Sequence, residues 1–377
     1  MKDLSLLKDR LDICRNALDF KKVGRTPTIS TATTWQIYDS KYKVQEVYYD
    51  YKKMEEVICD YQNRYGFDCH MYSGAIYAFP VLDALGGGSY RLDPVTGAMS
   101  VGDDSYMNAE DYLSFAEDPA KHMRDSFARK FPDMSTERFA SAISKFLDFG
   151  RWAKKSPDVF KNILQTPMMY GPNYMTGIEF LNASVRGIKD ISLDMRRNKE
   201  ALKTYVDAQW AQMTRPNMLA TKNNPHSDAT VVDFGSAMLA HALMNIPQFE
   251  TFYYPQLKEM FDFCKDEDKT MFIFCENAML RLSDYFRDID KGRLILHLEY
   301  DDPAELRKVL PNLCIAGGFP IEMSGTATPE QCADKTKQLI DMMEYGYILG
   351  LSKVAAYKND ATRENLMAIM ETCRNYK

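Results

Sequence analysis

TMFIFCEN (270–277), RLILHLEY (293–300) and LCIAGGF (313–319) follow one another closely, and each is a short apolar run rich in β-forming residues. Each leads into a helical pattern: AMLRLSDYF (278–286), DPAELRKVL (302–310) and TPEQCADKTKQLIDMMEYG (328–346). Nearly continuous apolar strands separated by helices are the pattern of parallel strands buried on both faces, joined by crossovers. YILGLS (347–352) and the helix TRENLMAIMETCRNY (362–376) carry the alternation to the end of the chain.

Working toward the N-terminus, the same rhythm returns. MKDLSLLKDRLDICRNALDF (1–20) reads as an amphipathic helix, with charges through its apolar positions and neither the apolar region nor the cleavage site of a signal peptide. PTISTAT (27–33) reads as a first strand, and the helical stretch 44–66 ends at Gly66, a suitable C-cap before a second strand, FDCHMY (67–72). Between Leu85 and Thr166 the alternation breaks. GGGSYRLDPVTGAMSVGDDS (86–105) reads as a glycine-rich turn and β-hairpin, and residues 108–164, with Trp152, read as helical. TPMMY (166–170) and NMLATKN (217–223) are read as further strands, on either side of a helix over NKEALKTYVDAQWAQM (198–213).

About eight strand–helix units result, which predicts a (β/α)8 TIM barrel: a single domain over residues 1–377 with a helical and hairpin insertion at about 86–165, after the second strand. No GxGxxG follows the first strand and no Walker A sequence occurs, so an open dinucleotide-binding sheet loses its main support. The formal charge of −6 and the lack of clustered Lys and Arg argue against a nucleic-acid partner. No stretch approaches the roughly 20 apolar residues of a membrane span. The eight cysteines form no CxxC pair, which suits reduced thiols in the cytoplasm. Neither a nucleophile elbow nor HExxH is present, so hydrolase chemistry has little support.

In a barrel, the polar residues that close apolar strands converge at one rim. Strand alternation in RLILHLEY sets Leu294, Leu296 and Leu298 on one face and Ile295, His297 and Glu299 on the other. His297 and Glu299 are there able to bind a metal or exchange protons, the alternative being a buried histidine satisfied by its neighbours. Cys275 and Glu276 close TMFIFCEN, and Cys314 precedes Gly317-Gly318; thiolate, imidazole and carboxylate are ligands zinc prefers, while a cysteine is equally a small core residue. The glycine pair at a strand-to-helix turn leaves room for a ligand to approach. Tyr72, Tyr77 and Tyr170 are expected near strand ends or loops, where an aromatic wall suits a flat or methylated substrate, and His241, at the end of a helical run, is either a lining residue of the same mouth or structural.

The order of features in LCIAGGFPIEMSGTATPEQCADKTKQLID (313–341), YGYILG (345–350) and ATRENLMAI (361–369) resembles the C-terminal third of the uroporphyrinogen decarboxylase superfamily. GRTPTIS (24–30), Ala84-Leu85-Gly86, SVRGIKDISLDMRRN (184–198) and FETFYYPQLKEMF (249–261) extend the resemblance over most of the chain. The arginine-rich segment that the decarboxylase carries after its first strand is replaced by ATTWQIYDSKY (32–42), and its pyrrole-contacting aspartate falls on Tyr77. The resemblance therefore implies the methyltransferase branch, in which zinc is held by a His-x-Cys strand end and a later cysteine. Here His-x-Cys becomes Ile273-Phe274-Cys275, so a zinc site would draw on Cys275 and recruit from Glu276, His297, Cys314 and His241.

The implied activity is transfer of a methyl group from a small methylated donor, an aromatic methyl ether or a methylamine, to a corrinoid (cobalamin-type) cofactor on a partner protein, as in anaerobic demethylation. Glu276, His297 and Glu299 would be its catalytic residues, with Tyr72, Tyr77, Tyr170 and His241 binding substrate. A decarboxylase-like lyase on a less acidic substrate and a non-catalytic binding subunit are the alternatives. Self-association into a homo-oligomer is compatible with the sequence.

Overall fold

A computed structural model describes residues 3–74, 76–102, 105–131 and 133–376, so Asp103 and Asp104 of the hairpin stretch, and Met1 and Lys2 of the leading helix, lie outside the described residues. The chain is a mixed α/β fold whose centre is a five-stranded, all-parallel sheet. The strands are β1 (Ile29–Ser30), β2 (Cys69–His70), β3 (Tyr90–Leu92), β4 (Met99–Val101), β5 (Phe234–Met238), β6 (Met271–Cys275), β7 (Leu294–Leu298), β8 (Cys314–Phe319) and β9 (Tyr347–Leu351). The large sheet runs β5-β6-β7-β8-β9, while β1 and β2 form a parallel pair and β3 and β4 an antiparallel hairpin.

Single parallel bridges continue the pairing past both edges of the large sheet. Thr28 bridges Leu349 of β9, His70 of β2 bridges Met168, and Met168 in turn bridges Thr230, just ahead of β5. Backbone hydrogen bonds support these contacts: Leu349 donates to the Pro27 carbonyl at 2.8 Å, Met169 to His70 at 2.7 Å and Val231 to Met168 at 2.9 Å.

Strand alternation divides the core into two layers. Phe272, Phe274, Ile295, Cys314, Ala316 and Ile348 pack with Ile29, Cys69, Met169 and Val231, and with Leu11, Cys14 and Leu18 of the Ser5–Leu18 helix. The opposite face, with Met271, Ile273, Cys275, Leu294, Leu296, Leu298 and Leu349, packs against the surrounding helices through Leu257, Leu282, Leu306, Leu339 and Ile369. Leu294, Leu296 and Leu298 take the helix side, as their period predicts.

Two element assignments differ from the sequence reading. NMLATKN is no strand: its first residues belong to the Arg215–Leu219 helix, which Pro216 enters in the first turn. The strand in this region is β5, FGSAM, whose small residues carry little β-propensity and which is fixed by ladder bonds to β6. The hairpin and the helices Asp111–Glu117, Pro119–Lys130 and Thr136–Asp158 occupy the stretch between β2 and Thr166. No helix among the described residues is long and apolar enough to cross a membrane.

Candidate functional site

At the C-terminal ends of β5 and β6 the backbone opens into a cleft of about 460 Å³. Glu276, the residue after β6, enters it, because the alternation that turns Phe272 and Phe274 to the inner layer turns Glu276 the same way. Asn277 then takes a left-handed φ of 57°, a conformation asparagine tolerates, and its N–H donates to the Glu299 carboxylate. Tyr77, Tyr90 and Val101 form one wall; Leu239, Ala242 and Leu243 form another. Tyr77 and Tyr90 pack with ring centroids 4.6 Å apart, so the β3–β4 hairpin supplies part of the aromatic lining.

Glu276 is a half-buried carboxyl with an unusual acidity. Burial, reinforced by repulsion from Glu299 and opposed by Lys353, raises its pKa from 4.5 to about 7. Lys353, just beyond β9, lies 3.5 Å from Glu299 and 3.8 Å from Glu322, and donates to the Tyr300 hydroxyl at 2.9 Å. Glu299 lines a second cleft of about 300 Å³ with Asp301, Glu322 and Lys353. Of the three residues expected to be catalytic, the structure therefore brings Glu276 and Glu299 together.

His297 sits deeper. It is fully buried, its ring centroid 4.8 Å from that of Phe274, with Nε2 3.0 Å from the Leu351 carbonyl and Nδ1 without a partner. Burial holds its pKa down to about 4, so the ring is neutral and lines neither cleft. The glycine pair serves the packing of this layer: a Cβ on Gly317 would meet His297 Nε2 at 2.7 Å, and one on Gly318 would meet Pro303 at 2.7 Å. The room beside Gly317 is filled by the His297 ring, whereas Gly318 lines the second cleft, so open space remains beside one glycine of the pair.

The remaining candidates divide similarly. Tyr77 lines the cleft. Tyr72 has its phenol raised by burial, then by the nearby Tyr170, Tyr77 and Glu276, which groups these residues around one region. Tyr170 stacks on Phe272 at 5.5 Å over Gly235, where no side chain would fit. His241 is fully buried behind the wall that its neighbours Leu239 and Ala242 present. Its Nε2 is 3.8 Å from Cys275 Sγ, and burial, with Arg281 adding, lowers its pKa to about 4.

Of the five residues weighed for zinc, Cys275 and His241 come within 3.8 Å of each other, but no third joins them in a metal-binding arrangement among the described residues. Cys275 lies in the layer packed on helices, Cys314 opens β8 in the inner layer beside Cys14, and His297 Nε2 is engaged by Leu351. Burial pushes both thiols up, Cys275 with Asp301 and Glu179 contributing, which disfavours the thiolate a zinc ligand needs. Among the described residues no group of three or more His, Cys, Asp or Glu side chains is arranged to hold a metal ion. As placed, these residues do not fit a zinc centre.

One buried carboxyl beside the cleft escaped the sequence reading. Glu179, in the Gly177–Ser184 helix, is fully buried; one carboxylate oxygen accepts from Leu239 N at 2.6 Å and Ala240 N at 2.8 Å, and the other, with the Tyr253 hydroxyl near the carboxylate, meets no hydrogen-bond geometry among the described residues. Burial raises its pKa to about 7 against the pull of those two N–H groups, and Glu276 adds to the rise. It thus braces the 239–243 wall of the cleft and is electrostatically linked to Glu276. Nothing in its sequence surroundings marks it, whereas Lys353 follows a strand end and the rule applied to Glu299 would have reached it.

No protein-family model matches the chain, and no curated protein matches it in sequence. Among solved structures, a methyltransferase from Methanosarcina mazei is similar, with a TM-score of 0.61 and 13% identity over 98% of each chain. At that identity the likeness is one of fold.

Proposed function

We propose that the chain is a methyltransferase whose reaction takes place in the Glu276 cleft. The observation that carries the chemistry is a carboxyl in an aromatic-walled cleft that still holds its proton near neutrality. The end-to-end likeness to a methyltransferase favours methyl over other transferable groups. None of the cleft's described lining residues is Lys or Arg, which suits a donor without the carboxylates of a tetrapyrrole.

In this reading a small methylated ether or amine lies against Tyr77 and Tyr90 with its heteroatom toward Glu276. The acceptor is a corrinoid carried by a separate protein, since no Asp-x-His-x-x-Gly sequence occurs in this chain. As the acceptor's electron pair bonds to the methyl carbon, the C–O or C–N pair departs with the heteroatom, and the Glu276 proton passes to it. A neutral alcohol or amine then leaves, and Glu276 remains as a carboxylate beside Lys353. Burial of Glu276 keeps a share of its carboxyl protonated near neutral pH, ready to donate.

The parallel bridges at residues 28, 70, 168 and 230 support closure of the strands into a (β/α)8 barrel forming one domain, with the hairpin and helices between β2 and Thr166 as its insertion. The eight unpaired thiols support a reducing, cytoplasmic setting. The test is to mix the purified chain with a reduced corrinoid protein and a panel of methyl ethers and methylamines, following the cobalt absorbance. Methyl transfer to cobalt is expected; CO₂ release from a tetrapyrrole, with no transfer from any donor, would contradict it.

A further inference from the structure

The Thr136–Asp158 helix packs along one face on the Phe79–Leu85 helix, and of its 23 residues only Ala142, Trp152 and Ser156 are buried. On another face Phe139, Ile143, Phe146 and Gly150 recur at spacings of four, three and four, the repeat of a coiled-coil seam. Phe139 is 45% exposed, Ile143 44%, Phe146 58% and the adjoining Leu147 54%. Phe127 of the Pro119–Lys130 helix meets Phe139 edge-on with centroids 6.0 Å apart, and with the exposed Met123 it widens the patch. The seam positions 139, 140, 143, 144, 146, 147 and 150 carry no charge.

Gly150 is the second observation. Glycine in the middle of an exposed helix is unfavourable relative to alanine, yet a Cβ at Gly150 would meet nothing within 4 Å. No contact among the described residues calls for a bare backbone there. A helix from outside, approaching closely at that turn, does.

We propose that this face pairs with the same face of a second copy of the chain, the two long helices crossing antiparallel about a two-fold axis near Phe146 and Leu147. That crossing sets Ile143 of each copy over Gly150 of the other, so bulk meets gap twice, and Phe146 meets Leu147 at the axis. A two-fold contact needs only one self-complementary patch, and an uncharged seam offers an acidic or basic partner no ionic hold. The six exposed apolar side chains present roughly 500 Å² per copy, judged from typical side-chain areas. Doubled across the axis, this reaches the roughly 1,000 Å² at which specific interfaces begin.

Sedimentation velocity of the full chain over a micromolar concentration series tests the pairing. Wild type is expected at twice 43.4 kDa. Phe146→Glu is expected at the single-chain mass with an unchanged circular dichroism spectrum. Gly150→Lys, which adds a good helix former at an open position, is expected to dissociate too and decides the matter if Phe146→Glu misfolds. A wild-type protein that stays at the single-chain mass overturns the proposal, even if the face then binds some other protein. So does a dimer that survives Gly150→Lys.

Discussion

Replacing Glu179 by Gln isolates the cost of a buried carboxylate behind the cleft. Glu179 is fully buried, with a pKa raised by burial from 4.5 to about 7. Because the folded state holds the proton more tightly than the unfolded chain, the wild type loses stability as pH rises from 4.5 through about 7. Glutamine keeps a carbonyl for the Leu239 and Ala240 N–H groups and never ionises. Linkage with these two pKa values gives a cost of roughly 1.4 kcal/mol at about pH 5.5 and roughly 3.3 kcal/mol at about pH 8. The stability of Glu179→Gln minus that of wild type should therefore grow by about 2 kcal/mol between those pH values, whatever constant offset the amide introduces. Urea unfolding of both proteins at the two pH values measures it. A difference that stays constant, or shrinks as pH rises, would refute the buried-charge reasoning.

Three further outcomes are expected. His297→Leu should flatten acid destabilisation: the neutral buried ring has its pKa lowered from 6.5 to about 4, so its contribution is intact above pH 6.5 and lost as pH falls toward 4. At about pH 4 the wild type should have lost roughly 3 kcal/mol through this group that the variant does not lose, measurable by urea titration across that range. Gly317→Ala places a methyl group 2.7 Å from His297 Nε2 at a φ of 83°, and should cost about 2 kcal/mol or more in thermal or chemical unfolding. Lys353→Met removes the cation that holds Glu276 down, so the Glu276 pKa should move further up, read by carbon-13 NMR of the side-chain carboxyl.

What the sequence disclosed depended on how strongly local pattern fixes each element. The strands at β6, β7, β8 and β9 were legible because uninterrupted apolar runs have few other places to go. β5 was hidden, since Phe234-Gly235-Ser236-Ala237-Met238 is held by its neighbours' hydrogen bonds and not by its own propensity. NMLATKN looked extended by composition, but its first three residues are the end of the helical stretch that closes at Leu219.

The site shows the same division. Glu276 and Glu299 were singled out by their place at strand ends, and the structure sets the two carboxyls close enough to repel. Cys275 was grouped with Glu276 although adjacent strand residues face opposite ways, so both could never enter one cleft. Glu179 became visible only in three dimensions, because its role comes from two backbone N–H groups sixty residues along the chain.

The rate of methyl transfer to a corrinoid protein as a function of pH, for wild type beside Glu276→Gln, bears most directly on the account. The wild-type rate should fall as pH rises through about 7, where Glu276 loses its proton, and the glutamine variant should be slower by roughly a hundredfold or more with that fall abolished. A variant that keeps the wild-type rate and the same pH dependence would contradict the assignment of Glu276 as the proton donor.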